Sequence, residues 1–255
     1  MYLIKHSKIT EFTNFNHIYQ IGYDDNSKKQ CFRGFQLLEN NHLSPFFENT
    51  AILGLYETRY NDIDSDDWVG VLSPKFFQKA QSFKPITAID LDNFLGKTKK
   101  DVIGFSIRQT QRNIILQGNM YHKDFSKVFR MIIDEAGIDY DIRRGTKKLF
   151  VLPSGHQVYA NIFSNAVIAK KWVYEKYIKE VLKPCYEVMS DPNNEEIREI
   201  IWRDSGYTRL TKRDTSSFKA QIGVNYYPYH TFICERFWTM FLNMNDLQIT
   251  QYPYE

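Results

Sequence analysis

Apolar and polar positions follow two different periods along this chain of 255 residues. Short, nearly continuous apolar runs predict buried strands at Trp68–Leu72 and Asp101–Ile107, and His17–Tyr23 predicts an earlier strand. Longer segments with apolar residues every three or four positions predict helices between these strands. Because strands alternate with helices and no long linker divides them, the pattern predicts an α/β fold in one domain.

The helical pattern is clearest in Asp124–Gly137, where the apolar residues share one face and the final glycine marks the end. Lys170–Pro184 predicts a second amphipathic helix that its proline ends. Another helix is expected to begin with Ser44 as its cap and Pro45 in its first turn. The segment Thr231–Met244 is apolar nearly all round and predicts one buried helix.

Composition narrows the class of protein. Hydrophobic residues make up 43% of the chain and charged residues 25%, which is typical of a soluble globular protein. The 17 tyrosines and 19 phenylalanines could fill a dense core or line a groove for sugars or bases. The net charge of +3 is too small to imply nucleic-acid binding. The sequence has no CxxC pair, signal peptide or apolar run long enough to span a membrane, so we expect a cytoplasmic location.

Two features flank the predicted strand Trp68–Leu72. An acidic run that includes Asp64 and Asp66 precedes it, and a DxD triplet can hold a divalent cation because hard cations prefer carboxylate oxygens. The position before the strand favours a solvated turn instead. Ser73 and Lys75 follow the strand, where ligands of α/β sheets collect and a lysine can neutralise phosphate. The competing interpretation of Lys75 is a surface lysine after a turn.

A second group of candidates lies in the later part of the chain. Asn161 and Asn165 fall in an apolar stretch, and buried amides bind either a neighbouring backbone or a ligand hydroxyl. We assign them, with His156 in a predicted loop, to binding of a sugar or an acceptor. Glu235 and Arg236 interrupt an apolar segment, and each needs a partner because an unpaired buried charge is costly. Glu235 is therefore a candidate base, a ligand clamp, or half of a structural ion pair.

The chain has no GxGxxG, GxxxxGK[ST] or GxSxG motif, so dinucleotide, Walker-type and hydrolase-elbow chemistry lack support. Four segments in order instead resemble small glycosyltransferases found in bacterial polysaccharide loci and in phages, between Tyr19 and Leu242. These segments are HIYQIGYDDNS, SPFFENTAILGLYE with DDWVGVLSPKFFQKA, LQGNMYHKDFSKVFRMIIDEAGID, and ANIFSNAVIAKKWVYEKYI with FICERFW.

The resemblance implies a GT-A-like, Rossmann-related mixed sheet flanked by helices in a single domain, residues 1–255. Its nucleotide-sugar-binding half would cover about residues 1–110 and its acceptor-side half residues 111–255. Donor binding is assigned to Tyr19, Gln20, Ser73 and Lys75, and catalysis to Glu235 with Arg236.

The same resemblance leaves open whether the protein binds a divalent metal ion. GT-A enzymes ordinarily carry a DxD after the central strand, but the corresponding segment here reads VLSPKF. No metal site is therefore assigned, and the alternative is Mn²⁺ or Mg²⁺ held by Asp64 and Asp66. Without a metal, Lys75, Arg236 or a helix N-terminus would have to stabilise the departing diphosphate.

The predicted function is transfer of a sugar from a nucleoside diphosphate sugar to a hydroxyl acceptor, in the cytoplasm of a bacterium or of a phage-infected cell. The acceptor is either a surface glycan or a hydroxymethylated pyrimidine in phage DNA. The basic segments Ile142–Lys148 and Arg209–Asp214 keep the DNA acceptor open, although solvated loops are the favoured interpretation of both. The alternative function is a non-catalytic module that binds nucleic acid or glycan.

Overall fold

A computed structural model describes residues 3–4, 12–40, 43–76, 86–105, 112–147, 149–151, 155, 157–162, 164–207, 215 and 218–252. The strands in these residues are β1 (Leu3–Ile4), β2 (His17–Gly22), β3 (Gln36–Glu39), β4 (Trp68–Leu72), β5 (Val102–Gly104), β6 (Leu149–Val151), β7 (Gln157–Tyr159), β8 (Val167–Lys170) and β9 (Ile249–Gln251). Seven of them form one sheet in the order β1-β3-β2-β4-β8-β5-β9, and β6 pairs with β7 separately.

The sheet is mixed, and its strand directions decide where a ligand can bind. Strands β3, β2 and β4 run parallel to one another, and β5 runs parallel to β9. Strand β8 lies between β4 and β5 and is antiparallel to both. The carboxyl ends of β2, β3, β4 and β5 therefore meet the amino end of β8 at one edge of the sheet.

Helices flank this sheet on both faces, as the predicted single-domain α/β fold requires. The helices are α1 (Asp25–Lys29), α2 (Glu48–Arg59), α3 (Ala88–Lys97), α4 (Ile114–Gln117), α5 (Phe125–Glu135), α6 (Lys171–Tyr177), α7 (Lys183–Ser190), α8 (Glu195–Ile201), α9 (Phe218–Ile222), α10 (Tyr229–Cys234) and α11 (Phe237–Met244). Within the residues described, none of these helices is long and apolar enough to cross a membrane.

The alternation of side chains along β4 divides the core into two clusters. Val69 and Val71 face the larger cluster, which packs beneath α2, α5, α6, α10 and α11. Trp68 and Leu72 face the smaller cluster beneath α3, where the indole Nε1 donates to the carbonyl of Leu95 at 3.1 Å. All five residues of β4 are buried, which confirms the strand predicted from its continuous apolar run.

Other predicted elements are confirmed with small shifts at their ends. The strand predicted at His17–Tyr23 is β2, and the helix predicted at Asp124–Gly137 is α5. The segment after β2 contains the short helix α1. Its start is fixed by a capping box in which Ser27 N donates to Asp24 Oδ1 at 2.7 Å and Ser27 Oγ accepts from Asp24 N.

The prediction that Ser44 caps the helix now identified as α2 is wrong. Helix α2 begins at Glu48, and its N-cap residue Phe47 has φ of +49°. Ser44 Oγ instead accepts hydrogen bonds from Phe46 N and the Thr50 hydroxyl, so it holds the turn that precedes the helix. A phenylalanine in this region of backbone space is strained, and surrounding contacts must enforce it.

Two predicted helix boundaries are also wrong. Pro184 does not end its helix, because the backbone stays helical on both sides of it and the altered hydrogen-bond spacing of the preceding turn accommodates the proline. A π-helical turn, Ile178–Leu182, joins α6 to α7. The segment predicted as one buried helix is buried, but it breaks at Glu235 and Arg236 into α10 and α11. The break redirects the chain beside the carboxyl edge of the sheet.

Stability of this fold should depend on the protonation of His230. Burial lowers the pKa of His230 to about 3 from its ordinary 6.5, and the ring packs edge-on against Phe46 and Trp202. Between these values the unfolded chain binds a proton that the folded chain does not, so stability falls as the pH falls. We expect His230 to lower the free energy of unfolding by about 2 kcal/mol between pH 7 and pH 5.

The variant His230→Phe provides the matched control, because it keeps an aromatic ring and removes the titration. Urea unfolding of both proteins at pH 7 and pH 5 isolates the contribution of this residue. An equal loss of stability on acidification in both proteins would contradict the assignment.

Candidate functional site

A cleft of about 990 Å³ lies at the edge where the parallel strands end. Tyr23 follows β2, Asn40 follows β3 and Ser73 follows β4, and all three line it. Ser164 reaches the same edge from the opposite direction, because β8 runs antiparallel. The carboxyl edge of an α/β sheet is the usual place for a ligand, and the volume suits a ligand of nucleotide size.

The turn after β4 places the predicted donor residues Ser73 and Lys75 in the cleft. Phe76 N donates to the Ser73 carbonyl at 3.0 Å, which closes the turn. Gln20 fixes it from below, because its Nε2 donates to the Pro74 carbonyl at 3.2 Å. The Ser73 residue is buried and Lys75 is exposed, so the lysine stands at the rim, where it can meet a charged group.

The two other predicted donor-side residues are buried on opposite faces of β2. Gln20 is buried, and its Oε1 also accepts from Phe32 N at 2.8 Å, so both ends of its amide bind the protein backbone. Tyr19 is buried in the larger core cluster, on the opposite face of β2. Neither is among the residues that line the cleft, although Gln20 shapes the turn that carries Lys75.

Glu235 and Arg236 line the cleft at the break between α10 and α11. Glu235 Oε1 accepts a hydrogen bond from Ser164 Oγ at 2.8 Å, and its Oε2 lies 4.0 Å from Arg236 Nη1. The Glu235 side chain is 25% exposed and the Arg236 side chain 4%. The carboxylate is therefore oriented by a hydroxyl and a cation while it stays open to the cleft.

Arg236 is bound mainly to the protein backbone. Its Nε donates to the Ile114 carbonyl at 3.0 Å and its Nη1 to the Phe232 carbonyl at 2.6 Å, and its guanidinium lies 4.5 Å from the centre of the Phe125 ring. Burial lowers the pKa of Arg236 to about 10, and Glu235 opposes this shift. The guanidinium remains charged at neutral pH and holds α4 against the break.

Three residues in strained backbone conformations surround the cleft. Phe47 and Ser164 line it with φ of +49° and +55°, and Asn165 follows with φ of +51°. The Asn165 side chain helps to enforce its own conformation, because its Nδ2 donates to Asn49 Oδ1 at 3.3 Å. Left-handed non-glycine residues persist where surrounding contacts require them, and they concentrate at functional sites.

Aromatic rings form one wall of the cleft. Phe47 stacks on Tyr227 with ring centres 5.8 Å apart, and Phe218 meets Tyr227 edge-on at 4.8 Å. Tyr207 and Phe232 lie 5.0 Å apart on the same wall. Such surfaces can stack against a base or the apolar face of a sugar.

His122 also lines the cleft, although the sequence predicts no role for it. Its Nδ1 lies 3.1 Å from the Ser205 carbonyl, which can only accept, so Nδ1 carries the hydrogen. Burial lowers the pKa of His122, with Arg236 adding to the effect and the Ser205 carbonyl and Glu235 opposing it. The ring is therefore neutral at pH 7, with its lone pair on Nε2.

The predicted acceptor-side residues lie elsewhere. Asn161 Oδ1 accepts from the Thr146 hydroxyl, and Asn165 binds Asn49, so both amides contact protein groups. Neither is among the residues lining the cleft. His156 lies outside the described residues. The sequence signal that would have located Gln117 and His122 is their place around Gly118, in the segment that resembles the glycosyltransferases.

The carboxylates Asp64 and Asp66 precede β4, on the edge of the sheet opposite the cleft. The Asp66 carbonyl accepts from Lys170 Nζ, and the neighbouring Asp67 pairs with His17 at 3.4 Å. Among the residues described, no three His, Cys, Asp or Glu side chains are grouped to hold a metal ion. Asp64 and Asp66 are not among the residues that line the cleft.

Comparisons with protein-family models, with curated proteins and with solved structures found no match for this chain. The resemblance to glycosyltransferases therefore rests on the sequence segments and stays a prediction. Residues from both predicted halves line the cleft, from Tyr23 to Arg236.

Glu235 and Arg236 should differ sharply in their effect on stability. Arg236→Met leaves the Ile114 and Phe232 carbonyls without their charged donor, which should lower the free energy of unfolding by about 3–5 kcal/mol. Glu235→Gln should cost less than about 1 kcal/mol, because Arg236 keeps its carbonyl partners and the amide can still accept from Ser164. Urea unfolding of the two variants measures both values, and similar losses would show that the ion pair, not the backbone contacts, stabilises the break.

Proposed function

We propose that this chain transfers a glycosyl group from a nucleoside diphosphate sugar to a hydroxyl acceptor. The observation that carries the proposal is the oriented, partly exposed carboxylate of Glu235 in a cleft at the carboxyl edge of the sheet, with Lys75 at its rim. A mixed sheet with one antiparallel strand beside its parallel strands is compatible with a GT-A-like domain. The four sequence segments that resemble glycosyltransferases add support.

The cleft offers a group for each part of such a donor. Lys75 at the turn after β4 can neutralise the diphosphate as a point charge. The wall that contains Phe47 and Tyr227 can stack on the nucleobase. The buried guanidinium of Arg236 adds positive potential near Glu235, although its hydrogen bonds go to backbone carbonyls.

The carboxylate of Glu235 is the proposed general base. In the net reaction the acceptor oxygen forms a bond to the anomeric carbon, and the bond from that carbon to the diphosphate oxygen breaks. The proton of the acceptor hydroxyl passes to Glu235, and the nucleoside diphosphate leaves with the bonding electron pair. Ser164 donates to Oε1, so the proton would pass to Oε2, which has no hydrogen bond to the described residues but lies 4.0 Å from Arg236 Nη1.

The acceptor is proposed only as a hydroxyl group of a glycan or of a modified pyrimidine in DNA. In the basic segment Ile142–Lys148, Arg143 pairs with Asp141 at 3.0 Å, and this ion pair weakens the positive field of the segment. Affinity for duplex DNA measured against salt concentration separates the acceptors, because contacts to many phosphates give a steep slope.

The test of the proposal is release of a nucleoside diphosphate from a panel of UDP-, GDP- and dTDP-sugars, in the presence and absence of a chelator. The native chain should release the diphosphate from at least one donor. Glu235→Gln should reduce turnover by about 10²–10⁴-fold, the usual contribution of a general base, with little change in melting temperature. Normal turnover by a folded Glu235→Gln protein would end the role of this residue, and donor binding without release would favour a non-catalytic binding module.

Lys75 should affect donor binding and not stability. Lys75→Ala should weaken the affinity for the nucleotide sugar by roughly 5- to 100-fold, the scale of a charge-assisted contact to phosphate. Lys29→Ala, at the end of α1, is the control because this lysine is not among the residues lining the cleft. Calorimetry measures both affinities. If Lys75→Ala and Lys29→Ala bind the donor equally well, the diphosphate lies elsewhere.

A further inference from the structure

The end of α4 and the short segment that joins it to α5 carry three cleft residues, Gln117, Tyr121 and His122. Helix α4 ends at Gln117, a 3₁₀ turn follows, and His122 N donates back to the Gly118 carbonyl at 2.9 Å. A Cβ atom at Gly118 would lie 2.2 Å from the Phe125 ring, so only glycine allows this close approach. The side chains of Gln117 and His122 both line the cleft from this segment.

His122 presents a hydrogen-bond acceptor to the cleft. Its Nδ1 is committed to the Ser205 carbonyl, and its ring lies 4.2 Å from the Phe232 ring, so its orientation is fixed. Its Nε2 accepts no hydrogen bond from the described residues, and this atom is not fully buried. The lone pair of Nε2 therefore faces the open cleft.

Gln117 presents an amide that the described part of the chain does not use. Its Oε1 is buried and lacks a hydrogen-bond partner among these residues. A buried polar atom without a partner lowers stability, and a ligand can remove that penalty. An amide can donate to one hydroxyl oxygen and accept from another hydroxyl.

We infer that Gln117 and His122 form a subsite for the hydroxyl groups of a sugar. The identification of that sugar as the glycosyl part of the donor rests on the proposed function. The neutral Nε2 lone pair accepts from a hydroxyl and would repel a phosphate oxygen, and Glu235 is close enough to act on the charge of His122. Lys75, after β4, is the cation of the cleft that suits phosphate, so the two ends of a nucleotide sugar meet different chemistry.

This subsite differs from the one predicted from sequence. Asn161 accepts from Thr146 and Asn165 donates to Asn49, and neither lines the cleft, whereas Gln117 lines it and its side chain makes no hydrogen bond to the described residues. The hydroxyl groups of the ligand would thus lie near the start of α5, within reach of the Glu235 side of the cleft.

Two variants remove the subsite without removing its scaffold. His122→Asn keeps an N–H that can donate to the Ser205 carbonyl but loses the acceptor at Nε2. Gln117→Leu keeps the shape and loses the amide, and it also removes a buried oxygen without a partner, so it should fold. Met120→Ala is the control, because Met120 is 70% exposed in the same segment and is not among the residues lining the cleft.

Calorimetry compares each nucleoside diphosphate with its sugar conjugate, using UDP and UDP-glucose, UDP-N-acetylglucosamine, and GDP and GDP-mannose. His122→Asn and Gln117→Leu should each weaken binding of the nucleotide sugar about tenfold and leave binding of the bare diphosphate within about twofold. Met120→Ala should change neither affinity. Equal losses for both ligands, or unchanged affinity for the nucleotide sugar in folded variants, would overturn the subsite.

A second measurement separates this inference from the proposed function. Imidazole ¹⁵N resonances are followed while glucose, galactose or N-acetylglucosamine is added to the full chain. A shift of the His122 Nε2 resonance that Gln117→Leu reduces supports the subsite even if no nucleotide binds, an outcome that would overturn the proposed function. If nucleotide sugars bind and no sugar moves this resonance, the subsite is wrong and the proposed function stands.

Discussion

The buried guanidinium of Arg236 is the interaction on which the cleft depends. At the break between α10 and α11, Arg236 N bonds the Ile233 carbonyl, which leaves the Phe232 carbonyl without its usual helical donor. The Arg236 side chain supplies that donor, and its Nε binds the Ile114 carbonyl at the start of α4. One side chain thus satisfies two carbonyls that short helices leave open. Because the guanidinium lies on the Phe125 ring, it also fixes α4 to α5.

The geometry of Glu235 follows from that arrangement and from the direction of β8. An antiparallel strand brings its amino end to the edge where parallel strands finish, and Ser164 arrives there just before β8. Two consecutive left-handed residues, Ser164 and Asn165, turn the chain so that the Ser164 hydroxyl reaches the carboxylate. Each such residue costs on the order of 1–3 kcal/mol, which the contacts of the surrounding core must offset.

Local sequence was enough to predict the parts of the fold that depend on local periodicity. Strand β4 and helix α5 came directly from their apolar patterns, because burial on one or two faces leaves a period that any window reveals. The cap at Ser44, the end at Pro184 and the single helix at Thr231–Met244 were wrong. In each case the local signal was real, but Phe47, a π-helical turn and the Arg236 contacts decided the boundary.

The candidate site was less predictable because its contacts join residues far apart in the chain. Ser164 and Glu235 are 71 positions apart, His122 and Ser205 are 83, and Ile114 and Arg236 are 122. No periodicity shows which buried amide binds backbone and which faces a cleft, so Asn161 and Gln117 looked alike as sequence. Contacts of such separation form only when the whole chain has folded. The site therefore has no local unit that could keep it intact, and loss of the Arg236 contacts would release α4, Glu235 and the Gln117–His122 segment together.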